Sequence, residues 1–150
     1  MARIHFQLVT PEKTVLNKEL DSLSCPTTLG QITILPHHAG LVAALVPGEL
    51  HAKSDHEDFF INVAGGFVEV KENDRVVVLA DAAEHHFEID LKQAQEAVDR
   101  AKKAMTEEHL TEEEYAKVAA VLERNLSRIN IARKHAHRKG PLTGGGVFTE

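Results

Sequence analysis

The stretch VVVLADAAEHHFEIDLKQAQEAV, residues 76–98, contains the point at which the hydrophobic pattern of the chain changes. Before Asp90 it holds a continuous apolar run, residues 76–79, which is typical of a β-strand. After Asp90 the apolar residues recur at steps of three and four from Leu91 onward, which is the period of one helix face. The stretch therefore predicts a boundary between a β-rich part and a helical part near residue 89.

The β-rich part, residues 1–88, alternates apolar and polar side chains, as in the segment Ile4-His5-Phe6-Gln7-Leu8. Turn-forming residues such as Pro and Gly separate the alternating segments at short spacing, which favours a β-sandwich or barrel. The run 76–79 is apolar at every position, so we expect that strand to be covered on both faces. Gly65 and Gly66 interrupt a strand pattern and predict a bulge or tight turn.

The helical part, residues 89–139, carries two helix-start signals. Asp90 with Gln93, and Thr111 with Glu114, have the spacing of capping boxes. The short connection predicts two antiparallel helices, and their alanine-rich contact predicts a weakly held hairpin that can open. The predicted apolar stripes are Leu91, Ala94, Val98, Ala101 and Met105 on the first helix, and Tyr115, Val118, Ala119, Leu122, Leu126 and Ile129 on the second.

The charge of the chain is unevenly distributed. The formal net charge is −6, with −7 on residues 1–88 and +1 on residues 89–150. The acidic character argues against a general nucleic-acid binder, which needs excess positive charge to replace phosphate counterions. Residues 124–139 nevertheless hold six basic residues and no acidic one. The glycine-rich segment 140–150 is predicted to be a flexible tail.

Several function classes lack their residues in this chain. One cysteine, Cys25, excludes a disulfide framework and a cysteine-rich zinc site, and we expect it to be a core residue. The longest apolar run has six residues, 41–46, whereas a membrane helix needs about 20. We therefore predict no integral membrane segment.

Catalytic and cofactor motifs are also missing from the sequence. It has no phosphate-binding loop, no dinucleotide-binding glycine motif and no nucleophile elbow. The ten histidines are predicted to be surface or turn residues rather than metal ligands. The residues alone therefore predict an interaction or regulatory module with no catalytic residue, metal or resident cofactor.

Five short strings occur in a specific order and together span most of residues 4–90. The chain resembles, through these strings, the epsilon subunit of bacterial and chloroplast F-type ATP synthases. The strings are LVTPE (8–12), GQITILPHHA (30–39), PGEL (47–50), GGFVEV (65–70) and VLADAAE (78–84).

The resemblance implies a ten-stranded β-sandwich followed by two C-terminal helices. It implies a non-catalytic subunit of the central stalk, bound to the gamma subunit and resting on the ring of c subunits. Such subunits couple proton flow to ATP synthesis and restrain ATP hydrolysis. The implied location is peripheral, on the cytoplasmic face of the bacterial plasma membrane or on the chloroplast thylakoid.

The segment from Gly30 to Leu41 aligns with the family loop that faces the rotor partners. The predicted contact residues for gamma and the c ring are Gln31, Leu35, His37, His38 and Leu41. The alternative is an ordinary turn in which proline and glycine serve geometry alone. The family often has an acid where this chain has Gln31, which weakens the case for a salt bridge to the c ring there.

The basic residues of the second helix predict contact with an acidic partner. Family members are thought to extend these helices along gamma into the catalytic head of alpha and beta subunits, where basic residues meet an acidic segment of the beta subunits. The predicted inhibitory residues are Arg124, Arg128, Arg133 and Lys134. The alternatives are a solvated helix face or contact with anionic lipid.

Some family members bind ATP at the hairpin through an [Ile/Leu]-Asp-x-x-Arg-Ala string. Here the string is IDLKQA (89–94), in which Gln93 replaces the arginine. The candidate nucleotide-binding residues are Asp90, Gln93, Arg100 and Arg128, and any ATP binding is expected to be weak. Asp90 is also fully explained as a helix cap.

An alternative function from another class remains open at this stage. The chain would then be a free-standing β-sandwich adaptor that uses its basic helix to bind an acidic partner. The two hypotheses differ in one requirement, since only the stalk subunit must form a complex with gamma.

Overall fold

The alternation of the first strand is realised directly in the computed structural model, which describes residues 2–138. Ile4, Phe6 and Leu8 are buried, and His5 between them is exposed. The same pattern builds ten strands: β1 Ile4–Val9, β2 Thr14–Leu20, β3 Ser22–Thr27, β4 Gly30–Ile34, β5 Leu41–Leu45, β6 Gly48–Ser54, β7 Glu57–Val63, β8 Gly66–Lys71, β9 Arg75–Ala80 and β10 Ala83–His85.

The ten strands form one hydrogen-bonded sheet in the order β10-β7-β6-β3-β5-β8-β9-β1-β2, with β4 paired to β3. Its pairs are antiparallel except for β1 with β9, which run parallel. The inner faces of β1 to β9 meet in one apolar core. A 3-10 helix, His86–Glu88, and two α-helices, α1 Leu91–Glu107 and α2 Glu112–Lys134, follow the sheet. The predicted fold class is confirmed; the predicted tail, residues 140–150, lies outside the described residues.

The expectation that residues 76–79 are covered on both faces is wrong. Val76 and Val78 are buried, whereas the side chain of Leu79 is 57% exposed. The strand alternates like its neighbours, because only one face of the sheet packs on the core. The apolar residues on the outer face therefore stay accessible.

Both helices begin at the predicted caps. The Asp90 carboxylate accepts a hydrogen bond from the Gln93 backbone N–H at 3.0 Å, and Thr111 and Glu114 form a reciprocal capping box. The helices pack through a small core of Ala94, Val98 and Ile129, with Leu122 partly buried against it.

Leu91, Tyr115 and Leu126 do not belong to the packing stripes, contrary to prediction. These residues are 40%, 48% and 45% exposed. The contact line of α2 instead runs through Leu122, Asn125 and Ile129, at steps of three and four. Leu126 lies one position past this line and so faces away from the core.

The turn between β7 and β8 requires glycine. Gly65 and Gly66 have φ values of 112° and 122°, in the region that residues with a Cβ rarely adopt. A Cβ added to Gly66 would lie 2.0 Å from the carbonyl oxygen of Leu79 on β9. The predicted turn is therefore present, and the close backbone approach at Gly66 is made by this chain's own neighbouring strand.

We expect Gly66→Ala to lower the free energy of unfolding by about 3 kcal/mol, because the added Cβ meets backbone atoms in a strained conformation. Urea denaturation of the full chain measures this change. The matched control is Gly40→Ala, where a Cβ would lie at an ordinary 3.7 Å from Val70 O. Equal denaturation midpoints for the two variants would contradict the prediction.

Candidate interaction surfaces

The loop between β4 and β5 has an ordered tip. His37 adopts a positive φ of 71°, and its backbone N–H donates a 2.6 Å hydrogen bond to Oδ1 of Asp74 in the β8–β9 turn. The His38 backbone N–H donates to the Leu35 carbonyl at 3.2 Å. The loop is thus tied to a neighbouring hairpin while Leu35, His37 and His38 stay exposed.

The other two predicted contact residues lie apart from this tip. Gln31 is exposed but sits near the start of β4, roughly 13 Å of strand length from Leu35. Leu41 is partly buried and packs against the sandwich core. The structure therefore brings together Leu35, His37 and His38, and gives Leu41 mainly a packing role.

A second exposed surface was missed by the sequence reasoning. Val42, Phe67 and Leu79 are 66%, 56% and 57% exposed. Phe67 pairs directly with Leu79 on one side and with Ala44 on the other. Val42 lies two residues from Ala44 and so shares its face of the sheet. We call Val42, Phe67 and Leu79 the apolar face; the unbroken apolar runs 41–46 and 76–79 were its sequence signals.

The predicted basic residues of α2 divide into two groups. Arg128 is largely buried, and its guanidinium donates to both carboxylate oxygens of Glu84, which lies on β10. Lys134 Nζ donates to Glu49 Oε1 on β6 at 2.8 Å. Arg124 and Arg133 are exposed and make no salt bridge within residues 2–138.

Glu49 is held in its ionised form by the end of α2. Partial burial disfavours its charge, but hydrogen bonds from Lys134 and His135 outweigh this effect and lower the pKa of the carboxyl. Two carboxylates of the sandwich, Glu49 and Glu84, therefore neutralise basic residues of α2 while the hairpin is docked.

The candidate nucleotide-binding residues are only partly brought together. Arg128 Nη1 donates to Gln93 Oε1 at 3.2 Å, and both residues line a cleft with Arg124 and Glu84. Asp90 serves as the α1 cap, and Arg100 is exposed and absent from the cleft lining. Because Glu84 already neutralises Arg128, a phosphate group would have to displace a carboxylate at this site.

Two histidines contradict the expectation that histidines are surface or turn residues. His86 and His135 are buried, because they pack around Phe60 from distant parts of the sequence. Within residues 2–138 no group of three His, Cys, Asp or Glu side chains is placed to hold a metal ion. Cys25 is a core residue, as predicted, and burial raises the pKa of its thiol to about 12. Neither α1 nor α2 is long and apolar enough to cross a membrane.

Comparison with known proteins decides the family. Residues 3–86 match the model of the ATP synthase delta/epsilon chain β-sandwich domain. The chain belongs to this family. The bacterial ATP synthase epsilon chain of Dehalococcoides mccartyi strain CBDB1 is 43% identical over 141 residues, covering 94% of this chain and 99% of that one. The epsilon chain of Herpetosiphon aurantiacus is 38% identical over 136 residues, covering 91% and 98%.

Solved structures support the same fold at low sequence identity. A chain of the Euglena gracilis mitochondrial ATP synthase, from an OSCP/F1/c-ring structure, matches with a TM-score of 0.75 at 20% identity, covering 92% of this chain and 83% of that one. A chain of the Tetrahymena thermophila central stalk and c-ring matches with a TM-score of 0.60 at 17% identity, covering 88% and 99%. Epsilon chains are non-catalytic subunits of ATP synthase, which confirms the prediction of a non-enzymatic protein.

We expect Arg128→Ala to destabilise the docked hairpin by about 2 kcal/mol, because it leaves the partly buried Glu84 carboxylate without its cation. Arg124→Ala removes an exposed side chain one helical turn earlier, which makes no salt bridge within residues 2–138, and should change stability by less than about 0.5 kcal/mol. Hydrogen exchange of the α2 amides measures both effects. Equal losses in the two variants would show that the Arg128–Glu84 pair does not hold the hairpin.

Proposed function

We propose that the chain is a rotor subunit of the central stalk of an F-type ATP synthase. It docks its sandwich on the gamma subunit and the c ring, couples proton flow to ATP synthesis, and restrains ATP hydrolysis through its helices. It would then work at the cytoplasmic face of a bacterial plasma membrane. The observation that carries the proposal is the apolar face, an exposed surface on a rigid sheet in a family of stalk proteins.

The apolar face is the proposed docking site for gamma. Three large apolar side chains are exposed on adjacent strands of one sheet, and a cluster of this kind on a folded domain marks an interaction site. The strands are held in place by the core beneath them, so the backbone loses little conformational entropy when a partner binds. A partner that covers Phe67 and Leu79 would remove from water the apolar surface that the sheet leaves exposed.

The ordered tip of the β4–β5 loop is the proposed contact with the c ring. Asp74 holds the backbone of His37 in place, so Leu35, His37 and His38 are presented in one conformation. Gln31 is neutral and lies at the far end of β4. The contact we propose is therefore made at the tip by the apolar side chain of Leu35 and the polar side chains of His37 and His38. It includes no salt bridge from Gln31.

The helices are the proposed brake on ATP hydrolysis. α2 has 23 residues, which corresponds to about 34 Å of helix. Released from the sandwich, Arg128 and Lys134 would leave Glu84 and Glu49 and join Arg124 and Arg133 as free cations. An acidic segment of the beta subunits in the catalytic head would then meet four positive charges along one helix.

We expect Phe67→Asp to weaken binding to the gamma subunit at least tenfold, a loss of roughly 1.4 kcal/mol or more, because a carboxylate cannot be desolvated in an apolar contact. Calorimetric titration of purified gamma with the full chain measures the affinity. Tyr115→Asp is the matched control, since Tyr115 is comparably exposed but lies at the start of α2.

Two outcomes of this titration would count against the docking proposal. Unchanged affinity of the Phe67→Asp variant would move the gamma site away from the apolar face. No binding of the wild-type chain to gamma would reject the stalk function and favour the adaptor hypothesis.

We expect the double variant Arg124→Glu/Arg133→Glu to inhibit ATP hydrolysis roughly tenfold less strongly than the wild type, since two attractive charges become repulsive. Hydrolysis by a catalytic complex depleted of this subunit, titrated with each chain, is the measurement. Lys92→Glu/Lys102→Glu applies the same charge change to exposed positions of α1 and serves as the control.

Two outcomes of this titration separate inhibition of ATP hydrolysis by the helices from binding of the chain to the complex. Equal inhibition by both variants and the wild type would show that the exposed bases of α2 do not act on the head. If the wild type binds but does not slow hydrolysis, the inhibitory part of the proposal fails and the coupling role remains.

A further inference from the structure

The residues just after α2 pack into the sandwich through an aromatic cluster. The His135 side chain is 3% exposed, and its ring stacks on Phe60 of β7 with 3.9 Å between centroids. His51 of β6 is also stacked with Phe60, at 4.4 Å. The Arg138 guanidinium lies 4.8 Å from the Phe60 ring centroid. The end of the hairpin is therefore fixed to the sandwich at one aromatic side chain.

The hydrogen bonds of His135 define the roles of its two ring nitrogens. Arg138 Nε lies 3.1 Å from His135 Nδ1, and a guanidinium can only donate, so Nδ1 accepts. Nε2 then donates to Glu49 Oε2. A proton on Nδ1 would face the Arg138 guanidinium and remove this hydrogen bond.

His86, in the 3-10 helix, is the second histidine of the cluster. It is 8% exposed, lies edge-on to His135 at 5.3 Å between centroids, and neither ring nitrogen has a hydrogen-bond partner within residues 2–138. Burial is the main cause that lowers the pKa of His86, and the positive charge of Arg138 acts in the same direction; backbone groups of Phe60 and Arg138 act in the opposite direction without cancelling this. A protonated His86 would be an unsolvated cation beside another cationic group.

We propose that Glu49, Phe60, His86, His135 and Arg138 form a proton-sensitive latch, which holds the end of α2 on the sandwich near neutral pH and releases it as the pH falls. We call these five residues the histidine latch. The latch is built only from residues of this chain and does not depend on the proposed function.

The other charged groups around the latch do not explain such a response. Glu49 stays ionised because its pKa is lowered, and Lys134 stays paired with it. His51 is partly exposed, and its Nε2 lies 2.9 Å from Oδ1 of Asp58 on β7. His85 has a pKa lowered by burial, and Glu88 acts on it in the opposite direction. His85 ends β10, the edge strand of the sheet, and its ring packs with Phe59 and Phe87, neither of which belongs to α2.

The direction of the effect follows from linkage. Released His86 has an ordinary pKa of about 6.5, and docked His86 has a lower one, so the released state binds more protons. Docking is therefore at full strength above about pH 6.5 and weakens below it. We expect the ratio of released to docked chains to rise up to about tenfold from about pH 7.5 to about pH 5.5.

Nuclear magnetic resonance of the full, isotope-labelled chain tests the latch over this pH range. The Phe60 ring protons report on stacking by His135. Amide exchange of Ile131 and Ala132, corrected for its intrinsic pH dependence and compared with Val98 of α1, reports on release of α2. We expect the Phe60 shifts to move towards unstacked values, and the protection of α2 relative to Val98 to fall up to about tenfold, as the pH falls.

His86→Phe fills the same apolar site with a ring that cannot be protonated, so it should keep the hairpin docked and abolish most of the pH response. His137→Phe, at an exposed position two residues after His135, is the matched control and should respond like the wild type. If His86→Phe fails to fold, His86→Leu replaces it.

Three results would overturn the latch. The first is a wild-type chain whose Phe60 shifts and α2 protection do not change with pH. The second is an equal loss of protection at Val98, since acid would then destabilise the whole chain. The third is a His86 ring that titrates at its ordinary value while α2 remains docked.

Discussion

The pairing of β1 with two partners is the interaction on which the rest of the structure depends. β1 runs antiparallel to β2 and parallel to β9, so the first strand of the chain is tied to the ninth. Its inward side chains Phe6 and Leu8 are fully buried at the centre of the core. Leu79 of the apolar face lies on β9, the parallel partner of β1, and the β4–β5 tip is tied by Asp74 to the turn that leads into β9. Surfaces far apart in sequence therefore keep fixed relative positions.

The hairpin is held by a different kind of contact. Its own core has three buried side chains, Ala94, Val98 and Ile129. Its attachment to the sandwich relies on Arg128 with Glu84, Lys134 with Glu49, and the histidine latch. A large apolar core and a small attachment made of ion pairs and one aromatic cluster give one chain two levels of stability, so the hairpin can open while the sandwich stays folded.

Short sequence patterns correctly predicted the secondary structure, because strands and helix starts depend on neighbouring residues. Period-two alternation gave the strands, and the Asp90 and Thr111 caps gave the helix starts. The failures concern distant partners. Arg128 and Glu84 are 44 positions apart, and His135 and Glu49 are 86 apart, so nothing near either residue indicates its partner. The apolar run 76–79 was assigned to a fully covered strand, because a continuous run does not reveal which face another layer covers. For the candidate site, the exposed tip residues were predicted but the apolar face was not.

The pairing of basic residues on α2 with Glu49 and Glu84 has a consequence for any acidic partner. Such a partner would exchange one carboxylate for another around Arg128 and Lys134, and it would also pair with Arg124 and Arg133, which have no salt bridge within residues 2–138 while the hairpin is docked. The released arrangement would therefore contain more ion pairs than the docked one. Added salt would weaken the released arrangement more strongly, so high ionic strength would favour the docked helix.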